Sequence, residues 1–211
     1  MDIKMAYIDN QLKIFKDMIE NAIITGGAEG KTSCIRSSAL INLIHDAVKW
    51  ELIEHGVRAE NIRPSFGETK PEIRLAGLLK QKDQDVCVLP GGIRKEPEYI
   101  NWGPMAFQNK VDPYGYEYST NALVINVRSQ MSSLAKNADT ILERTFAEAL
   151  NLHLRYPQMV LGEVFLIPLY EYDDEFVKKK VVRFKRNMTN VERYISFFHA
   201  INCRTLGEEA Y

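Results

Sequence analysis

The sequence predicts an α/β protein with a mixed central sheet flanked by helices and further helices at its N-terminal end. Three observations predict it. Apolar residues recur at helical spacing in the first fifty positions, and short apolar or β-branched runs bounded by Gly and Pro lie mid-chain. A long helical segment then separates the runs Ala122–Arg128 and Val160–Tyr170.

Ile8, Leu12, Phe15, Ile19 and Ile23 predict a first helix from about Met5 to Ile24, stopped by Gly26 and Gly27. A second follows, with Ser33 as its cap, Ile35, Leu40, Leu43, Ile44, Val48 and Leu52 as its apolar face, and Gly56 as its end. Pro64 and Gly67 mark a loop. Pro71 suits the first turn of a short helix, Glu72–Lys80, and Asp85–Leu89 reads as a buried strand ended by Pro90, Gly91 and Gly92. From Gly91 to Thr120 the chain is rich in Pro, Gly and aromatics (Tyr99, Trp102, Phe107, Tyr114, Tyr116, Tyr118), a composition expected of a long ordered hairpin or excursion. Ala122–Arg128 is a central strand. Ser133–Leu154 is a long helix with Ile141, Leu142, Phe146, Ala149 and Leu150 inward, Val160–Tyr170 is the next strand, and Val191–Ile201 is a final amphipathic helix.

A chain of 211 residues with 45% hydrophobic content can bury one substantial core, so residues 1–211 are expected to form a single domain. Within it, 1–60 supply the N-terminal helices, 72–172 the core that carries chemistry, and 173–211 a basic segment and the last helix. The N-terminal residues mix charge with apolar side chains, unlike a signal peptide, and no window approaches the roughly 20 apolar residues of a membrane span. Three widely spaced cysteines, Cys34, Cys87 and Cys203, form neither a disulfide framework nor a zinc pattern. A cytoplasmic protein with reduced thiols and no membrane partner is therefore expected. The formal net charge of −1 excludes a globally basic coat but leaves room for a local basic surface.

Metal-dependent phosphodiester cleavage needs acidic oxygens that converge on Mg²⁺, usually from the ends of neighbouring strands, together with a cation near the phosphate. Glu72, then Asp83 and Asp85 at the mouth of the Val86–Leu89 strand, offer such acids. In the next strand Asn126 and Arg128 are two apart and share a face, and the helix beyond carries Lys136, Glu143 and Glu148. Helix acid, strand Asp, a second strand ending in a basic residue, a long helix and another strand: over about Glu72–Tyr172 this order resembles the PD-(D/E)XK nuclease core of type II restriction endonucleases. Asn-Val-Arg-Ser-Gln (126–130) and Ala-Lys-Asn-Ala-Asp-Thr (135–140) are similar to a motif block of those enzymes.

The resemblance implies a restriction-endonuclease-like fold and a Mg²⁺-dependent enzyme that hydrolyses phosphodiesters at a specific short site in double-stranded DNA, acting as a homodimer on a palindrome. Residue by residue, it implies that Asp85 holds metal, with Asp83 as neighbouring alternative and Glu72 as the helix acid. The chain departs from the motif at two positions. Asn126 stands where Asp or Glu is expected and could ligate through its carbonyl only, so Glu143 is the candidate for a carboxylate that has migrated to the helix. Arg128 stands for the expected Lys, and its very high pKa suits it to orient or stabilise a phosphate rather than act as a base. The interval from Asp85 to Asn126 also exceeds the usual one.

Lys178, Lys179, Lys180, Arg183, Lys185 and Arg186 put six cations in nine positions, suited to a DNA backbone or to a solvated surface balanced by Asp173, Asp174 and Glu175. The loop from Arg94 and Lys95 to Tyr118 carries Asn101, Trp102, Gln108 and Lys110, residue types that read base edges or wedge between bases. Thr25–Thr32 misses the P-loop pattern by one residue and reads as an interhelical loop, and the four histidines form no metal or triad spacing. Two competing readings stand beside the nuclease: a DNA-binding or assembly protein that keeps the fold without catalysis, and a nucleotide-hydrolysing enzyme that uses Lys31.

Overall fold

Helix α1 (Tyr7–Arg36) buries Gln11, Phe15, Ile19, Ile23, Gly27 and Lys31, each four residues after the last, so one narrow stripe of the helix faces inward. The structure, a computed structural model, describes residues 6–203; Met5, the expected start of this helix, and residues 204–211 of the last segment lie outside the described residues. The backbone falls into two units: one comprises residues up to Gly56, Val127–Ala135 and Phe165–Asn190, the other Val57–Asn126, Lys136–Val164 and the chain from Val191.

The expected stop at Gly26 and Gly27 is a kink. Gly27 leaves helical geometry (φ 58°, ψ −136°) and the helix resumes at once, so Thr25–Thr32 is helical rather than a loop. Tertiary packing goes with this: a Cβ on Gly27 would lie 3.2 Å from the Val177 carbonyl oxygen, a tight contact, and the positive φ is itself one that favours glycine. Ser33 consequently lies inside α1 and caps nothing. The break comes at Ser37, whose Oγ donates to the Cys34 carbonyl at 2.7 Å, and α2 (Ser38–Glu54) buries Leu40, Ile44 and Ala47. Tyr7 stacks on Trp50 with ring centroids 5.0 Å apart.

In the second unit β1 (Ile62–Arg63) is followed by β2 (Ile73–Ala76) and β3 (Gln81–Gln84), a hairpin where the sequence predicts the helix Glu72–Lys80. The residues explain the correction: Ile73 and Leu75 are buried and Arg74 between them is exposed, a period of two, and Arg74 donates twice across the pair to Asp83, at 2.7 and 2.6 Å. Strand β4 (Val86–Val88) forms as expected. The aromatic excursion is a hairpin of β5 (Glu98–Tyr99) and β6 (Val111–Asp112), followed by the short α3 (Tyr116–Thr120).

Strand β7 (Leu123–Ser129) and helix α4 (Leu134–His153) match the expected strand and helix within a residue, and strand β8 (Val160–Leu166) starts where expected but ends four residues short of Tyr170, before Pro168, which has no N–H for the ladder. The main sheet has the order β1-β4-β7-β8. Strands β1 and β4, and β4 and β7, are antiparallel, the latter in the register Val86↔Ile125, Cys87↔Val124 and Val88↔Leu123. Across β7 and β8, Asn126 reaches Glu163 and Gly162 lies against Ile125, a constant offset that makes this pair parallel and the sheet mixed, as expected. Cys87, Val124, Leu152, Tyr156 and Met159 form its core with Ile73 and Leu75. In the first unit α5 (Asp174–Lys178) starts at Asp173, whose carboxylate accepts from the Glu175 N–H; in the second, α6 (Val191–Asn202) closes the described chain.

Candidate functional site

The apolar face of the sheet gives way to a polar row at one end. Register does this. Val86 pairs with Ile125, so Asp85, at the bend between β3 and β4, falls across from Asn126, and β8 brings Glu163 to the other side of Asn126. Side chains alternate along strands, so Asp85 lies on the face of Cys87, Asn126 on that of Val124, and Glu163 on that of Leu161; all three apolar neighbours belong to one core cluster or pack on it. The Asp85 charge is felt at Cys87, where burial and then that charge push the thiol up to about 12.

Asn126 is 2% exposed. Its Nδ2 donates to Glu163 Oε1 at 2.7 Å, while its Oδ1 has no hydrogen-bond partner among the described residues. A buried carbonyl oxygen without a partner costs stability unless water or a ligand satisfies it. Carboxylates on the strand positions either side of Asn126 are a donor set that suits Mg²⁺, which usually binds through one or two carboxylates and takes water and phosphate oxygens for the rest. No cluster of three or more His, Cys, Asp or Glu side chains occurs among the described residues, so any metal here would rest on this smaller donor set.

The structure separates the other expected acids. Glu72 immediately precedes β2 and, in the register Ile73↔Gln84, falls across from Asp85, while its carboxylate pairs with Lys70; Asp83 is engaged by Arg74, and Glu143 is exposed on α4. The Arg74 guanidinium holds the Asp83 carboxyl below its usual range. Arg128 is two residues beyond Asn126 and belongs to the other unit. Glu163 does not stand out in the sequence, because it only interrupts the apolar run Val160–Tyr170; an acid at an inward position of such a strand is itself the signal.

The aromatic hairpin presents Tyr99 (77% exposed), Trp102 and Phe107 (92% exposed) beside exposed Asn101, Gln108 and Lys110. Arg94 and Lys95 are exposed at its base, with Lys95 Nζ 5.2 Å from the centre of the Tyr114 ring. A buried network holds the hairpin. Asp112, fully buried, accepts from the Tyr114 and Gly115 N–H groups through Oδ1 and from the Tyr156 hydroxyl at 2.5 Å through Oδ2; Arg155 reaches Asp112 at 3.5 Å and Glu98 at 3.3 Å. Burial and then the Asp112 contact push the Tyr156 phenol well above its ordinary range. In the first unit Lys178, Lys179, Lys180 and Arg183 are exposed; Lys178 pairs with Glu175 at 2.7 Å, and Arg183 lies 4.2 Å over the Phe176 ring.

Compared with protein-family models, curated proteins and solved structures, the chain matches none. No helix among the described residues is long and apolar enough to cross a membrane.

Proposed function

We propose that the chain is a Mg²⁺-dependent endonuclease that hydrolyses phosphodiesters in a short double-stranded DNA site, as its resemblance to type II restriction endonucleases implies. The observation that carries the reading is buried Asn126, whose Oδ1 has no hydrogen-bond partner among the described residues, on the strand position flanked by Asp85 and Glu163. Those two acids would hold the ion, and Glu72, which the β2–β3 register sets across from Asp85, stands as the third carboxylate on this side, whereas Glu143 is exposed on α4. Asp85 and Glu163 start about 10 Å apart at Cα, two strand spacings, a gap that an Asp and a longer Glu side chain can narrow over Asn126. Held there, Mg²⁺ would supply positive charge for a phosphate oxygen and would lower the pKa of a water.

The chain's own residues do the positioning. The Asn126 amide fixes one Glu163 oxygen, and the apolar cluster below excludes water and strengthens the local field. Arg128 belongs to the other unit, and the proposed site is built without it. The exposed aromatics of the hairpin supply faces that stack on or wedge between bases, and Lys110, Arg94 and Lys95 supply cations for phosphates. A homodimer on a palindromic site follows from the same resemblance.

The second reading, a DNA-binding or assembly protein without catalysis, is favoured by one observation: Asn126 brings no charge where the motif expects a carboxylate. Incubation of the pure protein with plasmid and phage DNA separates the two. Discrete fragments that require Mg²⁺ support the nuclease, and intact DNA with a gel shift supports the alternative.

A further inference from the structure

The first unit holds a cavity of about 460 Å³ that the nuclease reading does not use. Its walls come from the second half of α1, from the turn before α4 and from α5, and its volume lies in the range of small-molecule sites. Lys31, Arg36 and Lys178 bring three cations to it, against one acid, Asp174. The hydroxyls of Thr32, Ser132 and Ser133 line the same space.

Lys31 is the informative member. Its side chain is 9% exposed, yet the carboxylate it meets, Asp174, is 66% exposed and 3.4 Å away. The Tyr172 ring adds a distant cation–π contact at 5.7 Å. A buried ammonium needs close compensation, and a solvated carboxylate at that distance gives little. Arg36 makes no ion pair among the described residues. The N-terminus of α4 is not the attraction, because Glu171 already accepts from the Leu134 N–H at 3.3 Å. The lining side chains carry a net charge of about +2; Glu175 pairs with Lys178 at 2.7 Å, but Lys185 lies 3.9 Å from Asp174 and restores the balance. That charge matches a phosphate monoester, close to a dianion at pH 7, better than a singly charged diester.

We propose that this cavity binds a phosphate monoester group, as free phosphate or as the terminal phosphate of a nucleotide. Lys31 and Arg36 would meet its oxygens from α1 and Lys178 from α5. The Lys31 environment is not a P-loop: the glycines before it form a kinked helix instead of a loop of N–H groups.

Calorimetric titration of the full chain with inorganic phosphate, with a nucleoside 5′-monophosphate and with a dinucleotide lacking terminal phosphate tests this at fixed ionic strength. Saturable 1:1 binding of either monoester, and none of the diester, is expected. Tighter binding of the nucleotide identifies a nucleoside as the rest of the ligand, and equal or weaker binding identifies free phosphate. Arg36→Ala and Lys178→Ala, both at exposed positions, should each weaken binding roughly tenfold. Asp174→Asn should strengthen it, the opposite of what a purely structural partner of Lys31 would give. No binding of either monoester at 10 mM (roughly the weakest affinity of interest), or affinity unchanged in both alanine variants, overturns the proposal.

Discussion

Asn126, buried in β7, donates its side-chain amide to Glu163 of β8 at 2.7 Å and leaves its own carbonyl oxygen without a hydrogen-bond partner among the described residues. One side chain thus both fixes an acid and offers a ligand. If that pair is the heart of a cation site, Asn126→Ala should cost about 1–3 kcal/mol in chemical denaturation, the range for a removed buried hydrogen bond. Asn126→Asp should lower stability in EDTA by like-charge repulsion with Glu163 and recover it in Mg²⁺. A melting temperature for Asn126→Asp that ignores Mg²⁺ would count against a site there.

Cys87 provides a pH test of the same face. Its folded pKa, about 12, lies above the unfolded thiol value, so its burial contributes stability that is complete below about pH 8.5 and declines as pH rises from there towards 12. Replacing the thiol with a methyl-bearing side chain of similar volume removes this dependence. Cys87→Val should therefore lose less stability than the parent between pH 8.5 and 10.5 in urea titrations. In the native state a thiol reagent should label Cys203, which is exposed, well before Cys87.

The Asp112 network makes a separate prediction about the hairpin. Tyr156→Phe removes the hydroxyl that donates to a fully buried carboxylate and should destabilise the protein by about 1–3 kcal/mol, visible in urea denaturation. Gly115→Ala should be worse, because its φ is +82° and the new Cβ would stand 2.2 Å from the Glu96 carbonyl oxygen.

DNA contact by the hairpin predicts a loss of affinity without a loss of stability. Trp102→Ala and Phe107→Ala change side chains that are 46% and 92% exposed, so melting temperatures should hold. Duplex binding in a gel-shift or anisotropy assay should weaken, by about 1–3 kcal/mol per stacked base lost. Lys110→Ala should reduce the salt slope of binding by about one. Unchanged affinity in all three would remove the hairpin from the interface.

Much of this fold was legible because its strongest signals are local. The β-branched run of β7, the length of α4 and the face of α6 each follow from residues adjacent in sequence, and the structure keeps them within a residue or two. The errors share a cause. The β2–β3 hairpin is fixed by the contact of Arg74 with Asp83 across the turn, and the continuation of α1 through Gly27 goes with a backbone approach to Val177, neither visible in a short window. For the candidate site, Asp85 and Asn126 could be placed on neighbouring strands from sequence. Glu163 needed the parallel register of β7 and β8, which only the crossover through α4 determines.

The most direct test is divalent-ion binding itself, read by calorimetry with Mg²⁺ and by Mn²⁺ electron paramagnetic resonance on the full chain and on Asp85→Asn and Glu163→Gln. The account predicts one ion per chain, weakened at least tenfold in each variant, while Glu143→Gln binds like the parent. Equal ion binding by all four proteins, or none by the parent even with duplex DNA present, would contradict it.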